Sequence, residues 1–446
     1  MTNHYSLAQN LDPDAKTPQK KRALVLGGGG SRGSYTMGAL AALIEQRQTY
    51  SLITGISIGS LVGGVFAMDQ PINYQKLISS FSNESVATGL FEFPKRNSVL
   101  TDKPQGFTAF VDQYQVDGPS VAPLKSNYEK IFDFDAFKNS NIDYACLAAD
   151  LTTNQPKLFK KSEMKTKDDA VMAMLASSAY FPAFSFVKIG DDYYADGGYL
   201  NSQLGKYAVE NGYEDLTVIA LSDPNAPLDY CKEQTSLLIR PILKLEYFLD
   251  FDKDVMIRQI AQGELEALKF MNLAPGYLYT FYKEDAFLFR NLSKMAVAML
   301  EKNHIKLSSD MLIDGMSELL GYRPGELNNT FMQNYEIGLL FECLGLIAGL
   351  DLYTRYRLMP FLKELLERLR NYEVNITPAE TGETLKMDTY GARDLMSFFH
   401  NALKVNDGKL PEQFDQVINK FKSLFYLAIA WYVLEKFSLV INLFSL

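Results

Sequence analysis

The residues able to do chemistry in this 446-residue chain stand in three short, glycine-flanked clusters. Gly55-Ile56-Ser57-Ile58-Gly59 sets a serine between two glycines, after one apolar run and before another. A serine on a sharp strand-to-helix turn projects its hydroxyl outward, and the turn closes only where its neighbours carry almost no side chain. Gly27-Gly28-Gly29-Gly30-Ser31-Arg32-Gly33 can turn several backbone N–H groups toward an anion, since no Cβ blocks the approach. In an acyl hydrolase such a loop holds the tetrahedral oxyanion, each donor lowering the barrier by about 3–4 kcal/mol. Asp196-Gly197-Gly198 supplies a carboxylate that can take the serine proton and return it to the leaving group. Singly, the first cluster also fits a plain Gly/Ser turn and the third a hairpin turn. Arg32 fits a loop brace, a contact to an anionic head group, or a surface salt bridge.

Two rival chemistries meet contrary signals. Gly28, Gly30 and Gly33 satisfy G-x-G-x-x-G, but a dinucleotide fold wants an acid at the end of the second strand. Here that strand runs into Ser57, and Glu45 falls inside the intervening helix. No Gly-Lys-Ser/Thr follows, so a P-loop fails as well. A Ser–Asp–His esterase needs a histidine after its acid in chain order. The chain has three histidines: His4 in the N-terminal lead, and His304 and His400 in the distal half, without loop patterns around them. A two-residue machine of Ser57 and Asp196 fits better than a triad.

The elements that must position these groups follow from periodicity. Residues 22–26 and 51–55 read as short buried strands, each followed by a helical pattern, at 31–48 and 58–68. Strand-like runs recur at 142–149, 184–189, 192–195 and 217–222, with helices at 168–177 and 199–211. Strands alternating with helices predict a mostly parallel sheet covered by helices, an α/β fold. Residues 95–130 read as irregular cover. The first domain is expected to span 22–224, after a polar, flexible lead at 1–21 that has no apolar core of a secretory signal. From 225 to 446 the apolar spacing turns helical throughout, including 233–249, and a polar, turn-rich patch at 374–390 interrupts it.

Composition narrows the function classes. The formal net charge of -9 argues against a nucleic-acid binder and means that membrane contact would need a local patch. Cys146, Cys231 and Cys343 lie far apart, which reads as reduced thiols in a cytoplasmic protein, and no metal-ligand spacing occurs. Five lysines gather within 157–167, read as a solvated hairpin face or a head-group contact. Residues 423–434 are apolar but too short for a bilayer, which takes about 20, so a buried closing helix or an interfacial helix is expected.

Taken in order, GGGGSRG, GISIG and DGG resemble the patatin-like phospholipase family. Ala149-Asp150-Leu151-Thr152-Thr153 and Met174–Pro182, with its Ala-Ser-Ser-Ala core, resemble further segments of that family. The resemblance covers roughly 22–222. It implies a three-layer α/β/α domain, Ser57 as nucleophile, Asp196 as the dyad acid, and amides of Gly28, Gly29 and Gly30 as oxyanion donors. It also implies Gly55 and Gly59 as elbow glycines, Gly197 and Gly198 as the post-acid pair, phospholipid or other fatty-acyl esters as substrates, and no cofactor. Tyr199-Leu200-Asn201-Ser202-Gln203 departs from the Asn-x-Pro often found after the acid, which bears on pocket shape. The other reading is a partner- or membrane-binding regulatory protein whose hydrolase domain is conditionally active.

Overall fold

The computed structural model describes residues 6–9, 20–81, 86, 120–181, 183–306, 308–332, 335, 338–371 and 391–444. His4, Pro182, the patch at 374–390 and most of the expected cover at 95–130 lie outside those residues. The chain divides into two compact units, Met1–Phe270 and Met271–Leu446.

The first unit is built on one eight-stranded sheet in the order β5-β6-β3-β2-β1-β7-β8, with β4 also paired to β3. The strands are β1 (Arg22–Leu26), β2 (Leu52–Ile56), β3 (Asp143–Asp150), β4 (Gln155–Lys160), β5 (Val187–Ile189), β6 (Asp192–Asp196), β7 (Asp215–Ile219) and β8 (Thr235–Ile239). β3, β2, β1, β7 and β8 run parallel, while β4, β5 and β6 form an antiparallel flank. The helices are α1 (Gly33–Glu45), α2 (Ile58–Phe66), α3 (Tyr74–Ser80), α4 (Ala122–Ile131), α5 (Phe134–Asn139), α6 (Lys167–Ser177), α7 (Gly205–Glu210) and α8 (Lys253–Phe270).

Alternation along the strands makes three layers. Ala23, Val25, Leu52, Leu216 and Val218 pack with Ala208 of α7 on one face. Leu26, Ile53 and Tyr144 surround Gly63 of α2 on the other, and Cys146 reaches the Ala173 carbonyl of α6. Strands buried on both faces read as continuous apolar runs rather than alternating ones, which is why RALVL and LITGI are so short and uniform.

Four expectations need correction. The boundary at 224 falls inside the first unit: β8 pairs with β7, and α8 packs on α1. The backbones of these helices approach closely, for a Cβ on Gly38 would stand 1.9 Å from the Ile260 carbonyl. Residues 233–249, read as helix, are β8 followed by irregular chain; Pro241 and the run Leu237–Ile239 favour a partly buried edge strand. Ala122–Ile131 is helical, not irregular. Finally, part of the lead is anchored: the N–H of Leu7 donates to Asp69 Oδ1 at 2.7 Å, and Leu7 is buried.

The second unit is helical apart from a two-stranded pairing of β9 (Thr280–Phe281) with β10 (Arg355–Tyr356). Its helices are α9 (Ala286–Lys302), α10 (Ser309–Leu320), α11 (Gly338–Ile347), α12 (Leu358–Arg370), α13 (Ala392–Val405), α14 (Asp415–Lys420) and α15 (Lys422–Phe444). α15 packs against α9, α11, α12 and α13, and its stretch from Phe425 to Leu434 is buried, as a closing helix would be. No single described helix is long and apolar enough to cross a membrane; a pair bent by 115°, Glu412–Lys420 with Lys422–Ser438, passes that test by length and composition alone.

Candidate active site

Ser57 stands between β2 and α2 with φ 55° and ψ −130°, a conformation that a non-glycine residue holds only when its surroundings impose it. Those surroundings are close. A Cβ on Gly55 would stand 2.2 Å from the Gly59 carbonyl, and one on Gly59 would stand 2.7 Å from both the Leu26 and Gly27 carbonyls. The two glycines therefore let the first turn of α2 pack onto the ends of β1 and β2, which is the elbow expected from the sequence.

The end of α6 braces that elbow. The Ser57 N–H donates to Ser177 Oγ at 3.1 Å, and Ser178 Oγ donates to the Ser57 carbonyl at 2.8 Å. Ser60 Oγ also reaches that carbonyl, at 2.6 Å. One residue further, the Ala179 carbonyl accepts the Asp196 N–H at 2.9 Å. A single stretch, Ser177–Ala179, thus ties the serine turn to the aspartate strand. The sequence offered Ala-Ser-Ser-Ala as a pattern but gave these two hydroxyls no role.

Asp196 closes β6, paired with Ala148 of β3, and is 1% exposed. Its Oδ1 accepts the Gly198 N–H at 2.7 Å. Oδ2 is buried with no hydrogen-bond partner of ordinary geometry. Burial pushes its pKa up to about 6, and the nearby Ser57 hydroxyl and the Gly198 amide limit the rise. Ser57 thus lies near the carboxyl without a hydrogen bond of ordinary geometry to it. Gly197 lets this turn approach the Leu147 carbonyl, 2.2 Å from where a Cβ would sit.

The glycine loop lies beside the elbow: a Cβ on Gly28 would be 3.1 Å from Ser57 Cβ. Its ends are pinned by the Gly27 N–H on the Ile219 carbonyl at 2.9 Å and the Ser31 N–H on the Phe248 carbonyl at 2.7 Å. Gly28, Gly29 and Gly30 span these anchors. Gly30 has φ 56°, and a Cβ there would be 1.9 Å from the Phe248 oxygen. Gly33 opens α1 against Ile58. Arg32 resolves as a brace: it donates to the Glu246 carbonyl at 2.8 Å and the Leu221 carbonyl at 3.1 Å, and pairs with Asp223 at 3.0 Å. Burial lowers its pKa, and Asp223 opposes the fall.

Ser57, Asp196, Gly28, Gly29, Gly30 and Gly198 all line one cavity of about 330 Å³. The rest of its wall is largely apolar, with Leu61, Phe81, Leu124, Phe184, Phe248 and Phe251 among its members. Among the described residues lining it there is no histidine. His304 and His400 belong to the second unit, where His400 stacks on Trp431 at 3.9 Å and meets Glu435 at 3.1 Å. Among the described residues, no group of His, Cys, Asp and Glu is arranged to hold a metal ion. The lysine-rich stretch is mixed: Lys161 is buried and donates to the Ser140 and Ile142 carbonyls at 2.8 and 2.6 Å.

The first unit is thus an α/β/α sandwich that gathers a serine elbow, a glycine loop and a buried aspartate around one largely apolar cavity. Residues 24–203 match the family model described as patatin-like phospholipase, so this region is a patatin-like phospholipase domain. Lysophospholipase NTE1 of Meyerozyma guilliermondii is 24% identical over 270 residues, covering 57% of this chain and 17% of that protein. Patatin-like phospholipase domain-containing protein 7 of Mus musculus is 26% identical over 180 residues, covering 40% of this chain and 12% of that protein. The chain thus spans under a fifth of these relatives' length. Among solved structures, VipD from Legionella pneumophila aligns over 96% of this chain and 95% of that one, at 12% identity and a TM-score of 0.29, a likeness too loose to bear on function.

Proposed function

We propose that the chain is a lipid acyl hydrolase of the phospholipase A or lysophospholipase type, acting through Ser57 and Asp196. In this reading Ser57 Oγ attacks the ester carbonyl carbon while its proton passes to the Asp196 carboxylate. The amides of Gly28, Gly29 and Gly30 receive the oxyanion. Collapse of the tetrahedral intermediate breaks the bond to the alcohol oxygen, which takes the proton from Asp196 and leaves. Water then attacks the acyl-enzyme by the same route, releasing the fatty acid and restoring the Ser57 hydroxyl.

The observation that carries this reading is a buried carboxyl with a raised pKa beside an elbow serine, both in a largely apolar cavity walled by the glycine loop. A group titrating near neutrality suits a general base. The apolar wall suits an acyl chain, and the relatives' names support lipid esters as the substrate class. Tyr199 and Leu200, about half exposed just after the Asp196 turn, suit contact with a lipid surface.

The test is fatty-acid release from phospholipids, lysophospholipids, triacylglycerol and a short-chain ester, comparing wild type with Ser57→Ala and Asp196→Asn. Release by wild type that falls by about a hundredfold or more in both variants is expected. Release that survives Ser57→Ala overturns the proposal.

A further inference from the structure

The main chain of Ser57 is gripped on both sides, and one of the grips is doubled. Its N–H donates to Ser177 Oγ at 3.1 Å. Its carbonyl accepts the Ser60 N–H at 2.8 Å and lies within reach of two hydroxyls, Ser60 Oγ at 2.6 Å and Ser178 Oγ at 2.8 Å. The same two hydroxyls reach a second acceptor, the Met174 carbonyl near the end of α6, at 3.1 and 2.9 Å. They stand 3.3 Å from each other, and Ser60, Ser177 and Ser178 are all buried.

A hydroxyl has one proton to donate. Two hydroxyls facing two carbonyls therefore have two ways to serve both: Ser60 on Ser57 with Ser178 on Met174, or the reverse. Either way the Ser57 carbonyl keeps a hydroxyl donor. Loss of one hydroxyl lets the other turn to Ser57, the shorter contact in each case, and leaves Met174 as the unmet partner. The grip matters because Ser57 holds φ 55° and ψ −130°, and such a conformation persists only while its surroundings over-determine it. Rotating this peptide moves Oγ relative to Asp196, whose own N–H is fixed by the Ala179 carbonyl next to Ser178. We propose that Ser60 and Ser178 are an interchangeable pair of positioning residues which, with Ser177 on the amide side, hold the Ser57 hydroxyl in its place beside Asp196. They act through the Ser57 main chain, and the inference rests on the hydrolase reading above.

The test compares kcat and KM on p-nitrophenyl butyrate for the full chain as wild type, Ser60→Ala, Ser178→Ala and the double variant, with a thermal melt of each. Each single variant should lose no more than about threefold in kcat, because the remaining hydroxyl takes the Ser57 carbonyl. The double variant should lose about a hundredfold, well beyond the product of the singles, with KM little changed. Ser60→Ala/Ser178→Thr returns one hydroxyl and should bring kcat back to the level of Ser60→Ala. Ser177→Ala has no substitute for its acceptor and should lose about tenfold by itself. Should the double alanine variant fail to fold, Ser60→Ala/Ser178→Cys keeps the volume with a weaker donor and should lose clearly more than Ser60→Ala. A folded double variant whose loss is only the product of the singles, or whose melting point falls while kcat holds, overturns the pair and leaves the hydrolase reading standing. Wild type that neither cleaves the ester nor is labelled at Ser57 by a fluorophosphonate overturns the hydrolase reading itself, and the inference with it.

Discussion

The carbonyl oxygen of Phe248 accepts the N–H of Ser31 at 2.7 Å and occupies the space that any side chain on Gly30 would need. Phe248 lies well beyond residue 203, where the match to the patatin-like family model ends. The glycine loop is therefore held by chain outside the segment that carries the recognisable motifs. Gly30→Ala adds a Cβ that overlaps this carbonyl, at a positive φ where side chains are strained. Moving either strand of the contact turns the loop amides away from the oxyanion. The expected result is a kcat about a hundredfold lower with KM little changed, measured on a soluble ester.

Gln259 of α8 supports the same loop from behind. With its amide turned so that nitrogen faces the serine, it donates to Ser34 Oγ at 2.5 Å and the Ser31 carbonyl at 3.2 Å, and its oxygen accepts the Glu246 N–H at 3.3 Å. Gln262 and Glu266 continue this buried face: Gln262 donates to the Leu243 carbonyl at 2.8 Å, and Glu266 accepts the Ile242 N–H at 2.9 Å and the Tyr35 hydroxyl at 2.8 Å. Gln259→Leu keeps the volume but removes these three hydrogen bonds, a loss of about 1–3 kcal/mol. The prediction is a kcat about tenfold lower and a slower reaction with a fluorophosphonate, with the Ser57 and Asp196 pH dependence preserved. A variant that loses only thermal stability would show Gln259 to be a packing residue instead.

How much of this was legible beforehand depends on what each signal needs. The glycines were legible because several sit where the chain approaches too closely for a side chain, and such demands are local; Ser57 and Asp196 stand out only through the glycines beside them. The bracing by Ser177 and Ser178 was half legible: the residues could be quoted, but a hydroxyl bonding to a backbone 120 positions away leaves no periodic trace. Residues 233–249 fold against their sequence pattern, as β8 and irregular chain rather than helix. Their apolar residues mimic helical spacing, yet β8 adds to the sheet edge, Phe248 meets the glycine loop, and Phe248 and Leu249 line the cavity. The end of the first unit was missed for the same reason, since β8 and α8 reveal their attachment only through contacts with β7 and α1.

Arg32 separates a structural cation from a recognition cation. It donates to two carbonyls and pairs with Asp223 in a largely buried setting, so its charge is already engaged. Arg32→Lys keeps the charge but loses the fork that spans Leu221 and Glu246. Activity should fall about tenfold on neutral, zwitterionic and anionic lipids alike, because one loop is loosened rather than one head group lost. A fall confined to anionic lipids would assign Arg32 to the head group.

Asp196 makes a prediction whose sign differs between activity and stability. Burial raises its pKa from the ordinary aspartate value of 3.8 to about 6. Only the ionised form can take the Ser57 proton, so kcat/KM should fall on the acid side with a midpoint near pH 6. For stability the direction reverses. The folded chain holds this proton more tightly than the unfolded chain, so the native state is favoured below pH 3.8 and loses that advantage as pH rises through 6. Above pH 6 the buried carboxylate costs about 3 kcal/mol, from 1.36 kcal/mol for each pH unit. Asp196→Asn removes the charge while keeping the shape and the bond from Gly198. It should therefore abolish activity yet raise Tm at pH 8, with the gain shrinking toward zero near pH 4. Thermal melts of both proteins at pH 4, 6 and 8 measure this. A variant no more stable than wild type at pH 8 would mean that Asp196 is not a strained, buried base, and a second group would have to account for any acid limb in the activity.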